Sequence, residues 1–315
     1  MYRSNGTQMG VIMAGIMMVV YVLGIVVAAM ILSSAVQRRP VSAVPERLTP
    51  VIHAARRRAL IAVLFAATVF LAGMIAGITL PELLGQPFAV TPLIAGAAGM
   101  LLYSATPPRL VLLRDDEPRV ARLVPRSAFS AVPARWATAF LVVIVLFVAL
   151  VLLCGLTAGL DEAGRSRAIR FEAYDVESSS SPYPGWFYGV PALGAIALMT
   201  VSLVIALRRI SITPAFPHAA DAEIDQAWRR TSVEVVLKLG VGAVLFSLGG
   251  IALIAGLAMG NATIDGSTPF GWSVLATVLW ISGGAALVIS IVSVTLAGLT
   301  AITIGEAATT RETVR

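Results

Sequence analysis

Ionisable side chains are what this chain largely lacks outside its loops. Its only histidines are His53 and His218, its only lysine is Lys238 and its only cysteine is Cys154. A single thiol excludes a disulfide framework. Neither histidine falls in an apolar stretch, so a His/Cys metal site cannot be assembled from these residues. No Walker motif or dinucleotide fingerprint occurs, so neither ATP hydrolysis nor nicotinamide chemistry is expected, and no cofactor or metal is implied.

What is present is apolar. Hydrophobic residues make up 58% of the chain, charged residues 13%, and mean hydropathy is +0.89. A water-soluble domain carries about 25% charged residues, so most of this surface is expected to face lipid. Seven stretches approach or exceed the ~20 residues that a helix needs to cross a bilayer: 11–32, 59–80, 88–105, 136–156, 187–207, 235–259 and 272–304. Backbone groups in lipid must be satisfied within their own segment, which favours helices, and the alternation of a barrel strand is absent. The expected fold is an all-α polytopic bundle forming a single integral membrane domain.

Arginine sets the expected topology. Of 22 Arg, 18 fall in the segments after the first, third and fifth stretches and in the C-terminal tail. Only Arg3, Arg165, Arg167 and Arg170 fall on the other side. By the positive-inside rule this predicts seven spans with the N-terminus outside and the C-terminus inside. The first stretch is too long for a signal h-region and has its basic residues, Arg38 and Arg39, behind it, so it reads as a span. The excess of Arg over Lys, with abundant Ala, Val and Gly, suggests a high-GC bacterial genome and hence a plasma-membrane location.

After the first span the chain falls into three helical hairpins. Each upward helix carries a GxxxG pair near its outer end: Gly73/Gly77, Gly155/Gly159 and Gly256/Gly260. Such pairs let two helix backbones approach closely, so all six are expected at tight helix contacts. Pro92 is expected in the first turn of the third span, where proline is tolerated. The seventh stretch, at 33 residues, exceeds the hydrocarbon thickness and must tilt, protrude or break, with Gly283–Gly284 the weak point.

The loops carry the candidate sites. Arg56, Arg57 and Arg58, and Arg109, Arg114, Arg119 and Arg122 in the segment 107–135, read either as contacts for anionic head groups (or, in 107–135, for a soluble partner) or as topology-setting charges. The cytoplasmic loop 208–232 holds a juxtamembrane helix beginning at Asp221, with Glu223 and Asp225 at its positive end and Asp225 paired with Arg229. This acidic start leading into Arg229-Arg230 resembles loops in uncharacterised multi-spanning membrane proteins of high-GC Gram-positive bacteria. The resemblance spans about 20 residues and implies no activity. Glu234 and Lys238, four residues apart, read as a hydrated ion pair anchored at the inner interface, worth roughly 0–1 kcal/mol. The outer loop 159–185 carries five acidic residues without metal-ligand spacing, then an aromatic run including Trp186 and Phe187 suited to the membrane interface.

Function is narrower by exclusion than by motif. An enzyme needs acid, base or metal groups at a reachable depth, and none is supplied. A transporter needs a polar path, for which the candidates are only hydroxyls, such as Thr68, Ser202, Ser247, Ser282, Ser290 and Thr295, with Tyr21 and Tyr103. No Asp, Glu or His lies in the middle of a span, so no proton relay is expected there. The leading expectation is a non-catalytic accessory or scaffold protein, with the bilayer, a membrane-protein partner or a second copy as partners and no nucleic acid. A permease for a small solute is the alternative.

Overall fold

The computed structural model describes residues 48–106, 108, 132–173, 176–216, 221–263 and 268–304. The expected first span, 11–32, lies outside them, as do Tyr21, Arg109, Arg114, Arg119 and Arg122. The described chain is mostly helical: α1 (Thr49–Thr79), α2 (Gln86–Ala105), α3 (Ala134–Thr157), α4 (Trp186–Ile212), α5 (Ala222–Asn261) and α6 (Phe270–Ile302). All six are long and apolar enough to cross a membrane, the composition of a multi-pass membrane protein.

Successive helices run up and down, so the molecule has two distinct ends. One gathers the arginines at the starts of α1, α3 and α5 with the C-termini of α2, α4 and α6. The other holds a 3₁₀ turn (Pro81–Leu83) and a three-stranded sheet inserted between α3 and α4. Its strands are β1 (Gly159–Leu160), β2 (Ser166–Ala173) and β3 (Val176–Ser180), paired antiparallel in the order β1-β2-β3. The fold is therefore not purely α. The segment 165–173 alternates Arg167, Ile169 and Phe171 with Ala168, Arg170 and Glu172, a two-residue period that the charge-based reading of this loop passed over.

Three helix boundaries differ from the sequence expectation. α1 begins at Thr49 with Pro50 in its first turn, ten residues before the apolar stretch, and carries Arg56–Arg58 within it. Arg is a good helix former and Pro suits N1. The juxtamembrane helix at Asp221 is not separate: α5 runs 40 residues without a break, about 60 Å at 1.5 Å per residue. Pro92 is the seventh residue of α2, which starts at Gln86 with Pro87 in its first turn. α6 is continuous through Gly283–Gly284.

α5 is the centre of the bundle. In its most apolar 18-residue stretch 78% is buried inside the protein, against 33–50% for the other five helices. The remaining helices turn one side outward, with Leu64, Leu141, Val145, Leu156, Val201 and Ile281 all exposed. Large apolar residues left outside are what lipid, not water, accommodates. The three hairpins do not pack alike. α5–α6 is the most extensive interface, whereas α4 lies more against α2 than against its hairpin partner α3.

The α5–α6 seam is built from small residues at a spacing of seven. Gly242, Gly249 and Gly256 face Ala276, Gly283 and Ser290 in antiparallel order. A Cβ on Gly256 would stand 2.5 Å from the Ala276 carbonyl oxygen, and one on Gly249 2.7 Å from that of Gly283. Ser290 and Ser293 donate 2.8 Å bonds to the carbonyls of Gly242 and Lys238. Seven residues is two turns of a slightly under-wound helix, so such a repeat holds one face toward its partner along its whole length. Backbone-to-backbone approach of this kind, with cross-helix hydroxyl bonds, supplies association where the hydrophobic effect cannot.

The six GxxxG glycines divide accordingly. Gly73 and Gly77 admit the Thr91 and Phe88 side chains of α2, Gly155 admits the Trp186 indole, and Gly256 touches the α6 backbone. Gly159 belongs to β1, where its neighbour is the Arg170 side chain at ordinary distance, and Gly260 has open space. Both expectations are corrected. α3 ends at Thr157, two residues before Gly159, and α5 ends one residue beyond Gly260, past the reach of α6.

Candidate functional site

The three helices that end at the arginine-rich pole each receive an arginine. Arg58 of α1 donates from Nε and Nη2 to the Tyr103 carbonyl near the end of α2, and from Nε to Thr106 Oγ1 at 3.1 Å. Its guanidinium also lies 4.0 Å from the Tyr103 ring centroid. Arg229 of α5 reaches the end of α4, giving 2.6 Å and 2.7 Å bonds to the carbonyls of Ile210 and Thr213 and longer ones to Ser211 and Pro214. Arg56 Nε donates to the Ile304 carbonyl just past α6 at 2.8 Å.

A helix C-terminus exposes unpaired carbonyls and a partial negative charge, and a guanidinium satisfies both at once. Arg58 and Arg229 are buried, so neither guanidinium is presented to a membrane surface. Of Arg56–Arg58 only Arg57 is exposed. The arginines read from sequence as lipid contacts thus include two helix caps, Arg56 and Arg58. Periodicity could not reveal this, because a cap partner lies 45 or 248 residues away in the chain. Asp225 holds Arg229 Nε at 3.0 Å from the turn before it, fixing the fork toward α4.

Glu234 and Lys238 stand one turn further along α5, 3.2 Å apart. Lys238 is buried rather than hydrated. Its ammonium donates to Thr300 Oγ1 of α6 at 2.7 Å and lies 5.1 Å from the Trp136 ring centroid of α3. Glu234 is also approached by Arg135 at 3.6 Å and Arg230 at 3.8 Å. The apolar flanks of α5 are covered by α3 and α6 at this level, which removes the water that the sequence reading assumed. Glu234→Gln leaves a buried ammonium with no counter-charge and should destabilise by about 3 kcal/mol. Lys238→Met should cost less, because Glu234 keeps two arginines. Thermal melting of both variants in detergent measures the ordering, and equal, negligible losses would restore the hydrated picture.

At the opposite pole the sheet is tied down to the helix ends. Tyr183 OH and Thr157 Oγ1 are 2.7 Å apart, Phe171 stacks on Trp272 at 5.4 Å, and the Trp272 indole donates to the Met259 carbonyl. Tyr188 OH donates to the carbonyl of Leu84, whose φ of 50° is uncommon for a side-chain-bearing residue. Asp161 accepts from the backbone N–H groups of Arg165 and Ala163 and from the guanidiniums of Arg165 and Arg167.

The N–H of Arg165, with the Ala163 N–H and the Arg165 guanidinium, holds the Asp161 carboxyl below the usual carboxylate range. A lowered folded pKa stabilises fully above the unfolded value of about 4 and is lost as pH falls through the lowered value. Hydrogen exchange across 159–185, corrected for intrinsic rate, should therefore show opening on acidification below about pH 4. Asp161→Asn should abolish that acid step.

Six of the hydroxyls considered for a polar path are engaged elsewhere. Thr68, Ser202, Ser282 and Thr295 donate to carbonyls three or four residues back in their own helices. Ser247 bonds the Ala89 carbonyl and Ser290 that of Gly242. Tyr103 carries Arg58 on its ring. No group of three or more His, Cys, Asp or Glu that could hold a metal occurs among the described residues. Comparison with family models, with curated proteins and with solved structures finds no match.

Proposed function

We propose that this chain is a non-catalytic, multi-pass protein of a bacterial plasma membrane, acting as an accessory or scaffold subunit of a membrane complex. It crosses seven times, with the N-terminus outside and the C-terminus inside. One observation carries the functional reading: hydroxyls and charges at depth are engaged within the protein, some in their own helices and some between helices. Arginines cap helices, serines and threonines bond carbonyls, and no acid–base pair opens toward a substrate among the described residues. Such a framework offers partners a rigid apolar perimeter and a polar pole. Affinity purification in mild detergent, with identification of what co-purifies, tests it. A stoichiometric membrane partner or a homo-oligomer is expected, and a lone monomer that moves a solute in vesicles overturns it.

Topology is checked separately. Cysteine placed at position 115 should resist an impermeant reagent added from outside intact cells; labelling from outside reverses the orientation.

The second reading, a permease without an intramembrane proton relay, draws on the contacts of the buried Lys238 with Glu234 of α5 and Thr300 of α6. A charge inside a membrane helix bundle marks a functional position by default. Solute flux in reconstituted vesicles that persists in Glu234→Gln supports this form of transport. Proton flux lost in that variant would show a coupled transporter instead.

A further inference from the structure

The junction of α3, α5 and α6 at the arginine-rich pole carries more donors and positive charge than it has acceptors for. Three cations, Arg135, Arg230 and Lys238, converge on the single carboxylate of Glu234 at 3.6, 3.8 and 3.2 Å. That leaves two positive charges in excess. The Trp136 indole N–H beside them is buried and has no hydrogen-bond partner among the described residues. α3 begins here as well, with Pro133 as its N-cap, no side-chain cap and no acidic residue in its first turn. Its positive dipole end therefore adds to the same sign of charge.

A buried donor without a partner costs on the order of a lost hydrogen bond, and an excess of cations beside it asks for an anion. The two arginines are the mobile members. Their side chains are 71% and 62% exposed, whereas that of Glu234 is 15% exposed, so they can turn from the carboxylate toward a group arriving from outside. Lys238 cannot, because α3 and α6 enclose it and Thr300 holds it. We propose that this junction is a binding site for a single phosphate-bearing anion, held by Arg135, Arg230 and the Trp136 N–H. Glu234 and Lys238 form its neutralised floor. Guanidinium forks suit phosphate oxygens in pairs, and an indole N–H supplies one further directional donor. The site rests on the membrane reading above and goes beyond it, since Arg56 and Arg58, considered from sequence as lipid contacts, cap the ends of other helices.

The detergent-purified full chain is titrated separately with short-chain phosphatidylglycerol, with phosphatidylcholine of matched chain length, and with inorganic phosphate. Bound lipid is counted by native mass spectrometry and stability is followed by melting. One phosphatidylglycerol retained per chain, with a raised melting temperature and none from phosphatidylcholine, assigns the site to an acidic lipid head group. Protection by inorganic phosphate alone assigns it to a free anion. In either case Arg135→Gln/Arg230→Gln should weaken binding about tenfold or more, and Trp136→Phe should weaken it by a smaller factor. Arg57→Gln, an exposed arginine outside the junction, should leave it within about twofold. Both changed arginines are exposed, so the double variant should fold. Equal binding by wild type and the double variant, or no binding to either anion, overturns the proposal. If the chain remains soluble and monodisperse without detergent, the membrane reading itself has failed, which is a separate outcome.

Discussion

Arg229→Ala should be among the most damaging single changes in the protein, lowering stability by about 3–5 kcal/mol. The guanidinium is the donor for four carbonyls at the end of α4 and the counter-charge of Asp225, whose side chain is only 13% exposed. Removal strands the carboxylate and the carbonyls together in a buried elbow, where unmet hydrogen-bonding groups are costly. Lysine should rescue little, because one ammonium cannot span both the carboxylate and the helix end as the planar fork does. Melting of Arg229→Ala and Arg229→Lys in the same detergent is the measurement. If Arg229→Lys melts with wild type, the fork geometry does not matter and the cap is only a point charge.

Gly249→Leu and Gly256→Leu should each cost about 3 kcal/mol or more, beyond the range of ordinary overpacking. The atoms in the way are backbone, the Gly283 and Ala276 carbonyl oxygens and the Trp280 nitrogen, which no rotamer change can move. Gly260→Leu, with open space around it, should change stability by no more than about 0.5 kcal/mol. Comparable losses at Gly260 and Gly256 would mean that close contact with α6 is not what the glycine supplies, since Gly→Leu in a helix otherwise gains in helix propensity. Gly73→Leu should fall between them, since its neighbour is the Thr91 side chain, which can be displaced.

The six long apolar helices were legible in the sequence because hydrocarbon imposes a length and forbids charge, and both are countable along a chain. The fine placement of helix ends was not. Residues 49–58 contain His53 and Arg56–Arg58 and look like a loop to any hydropathy argument, yet they form the first turns of α1, where those arginines meet the ends of α2 and α6. The GxxxG search found Gly256 but missed Gly242, Gly249 and Gly283, since it looked four residues ahead and the operative spacing is seven. The Glu234–Lys238 proximity was readable from i,i+4 spacing. Burial of Lys238 was not, because it depends on Trp136 and Thr300, contributed by α3 and α6. The sheet was missed for a different reason: the five acidic residues drew the reading to charge, while the two-residue alternation of β2 and its local pairing with β3, Ile169 with Ser180 and Phe171 with Ser178, went unread.

The enclosure of α5 has a consequence for how the protein is made. A helix hidden from lipid on most of its circumference cannot reach its native surroundings on leaving the translocation channel; it needs a berth already prepared. α1 to α4 precede it in synthesis and form part of that berth, while α6 follows and closes it. Between those two moments the glycine seam and Lys238 face either lipid or an assembly chaperone. Nascent chains arrested after residue 263 should therefore be the species most exposed to membrane quality control. Clearance should fall sharply once α6 has emerged.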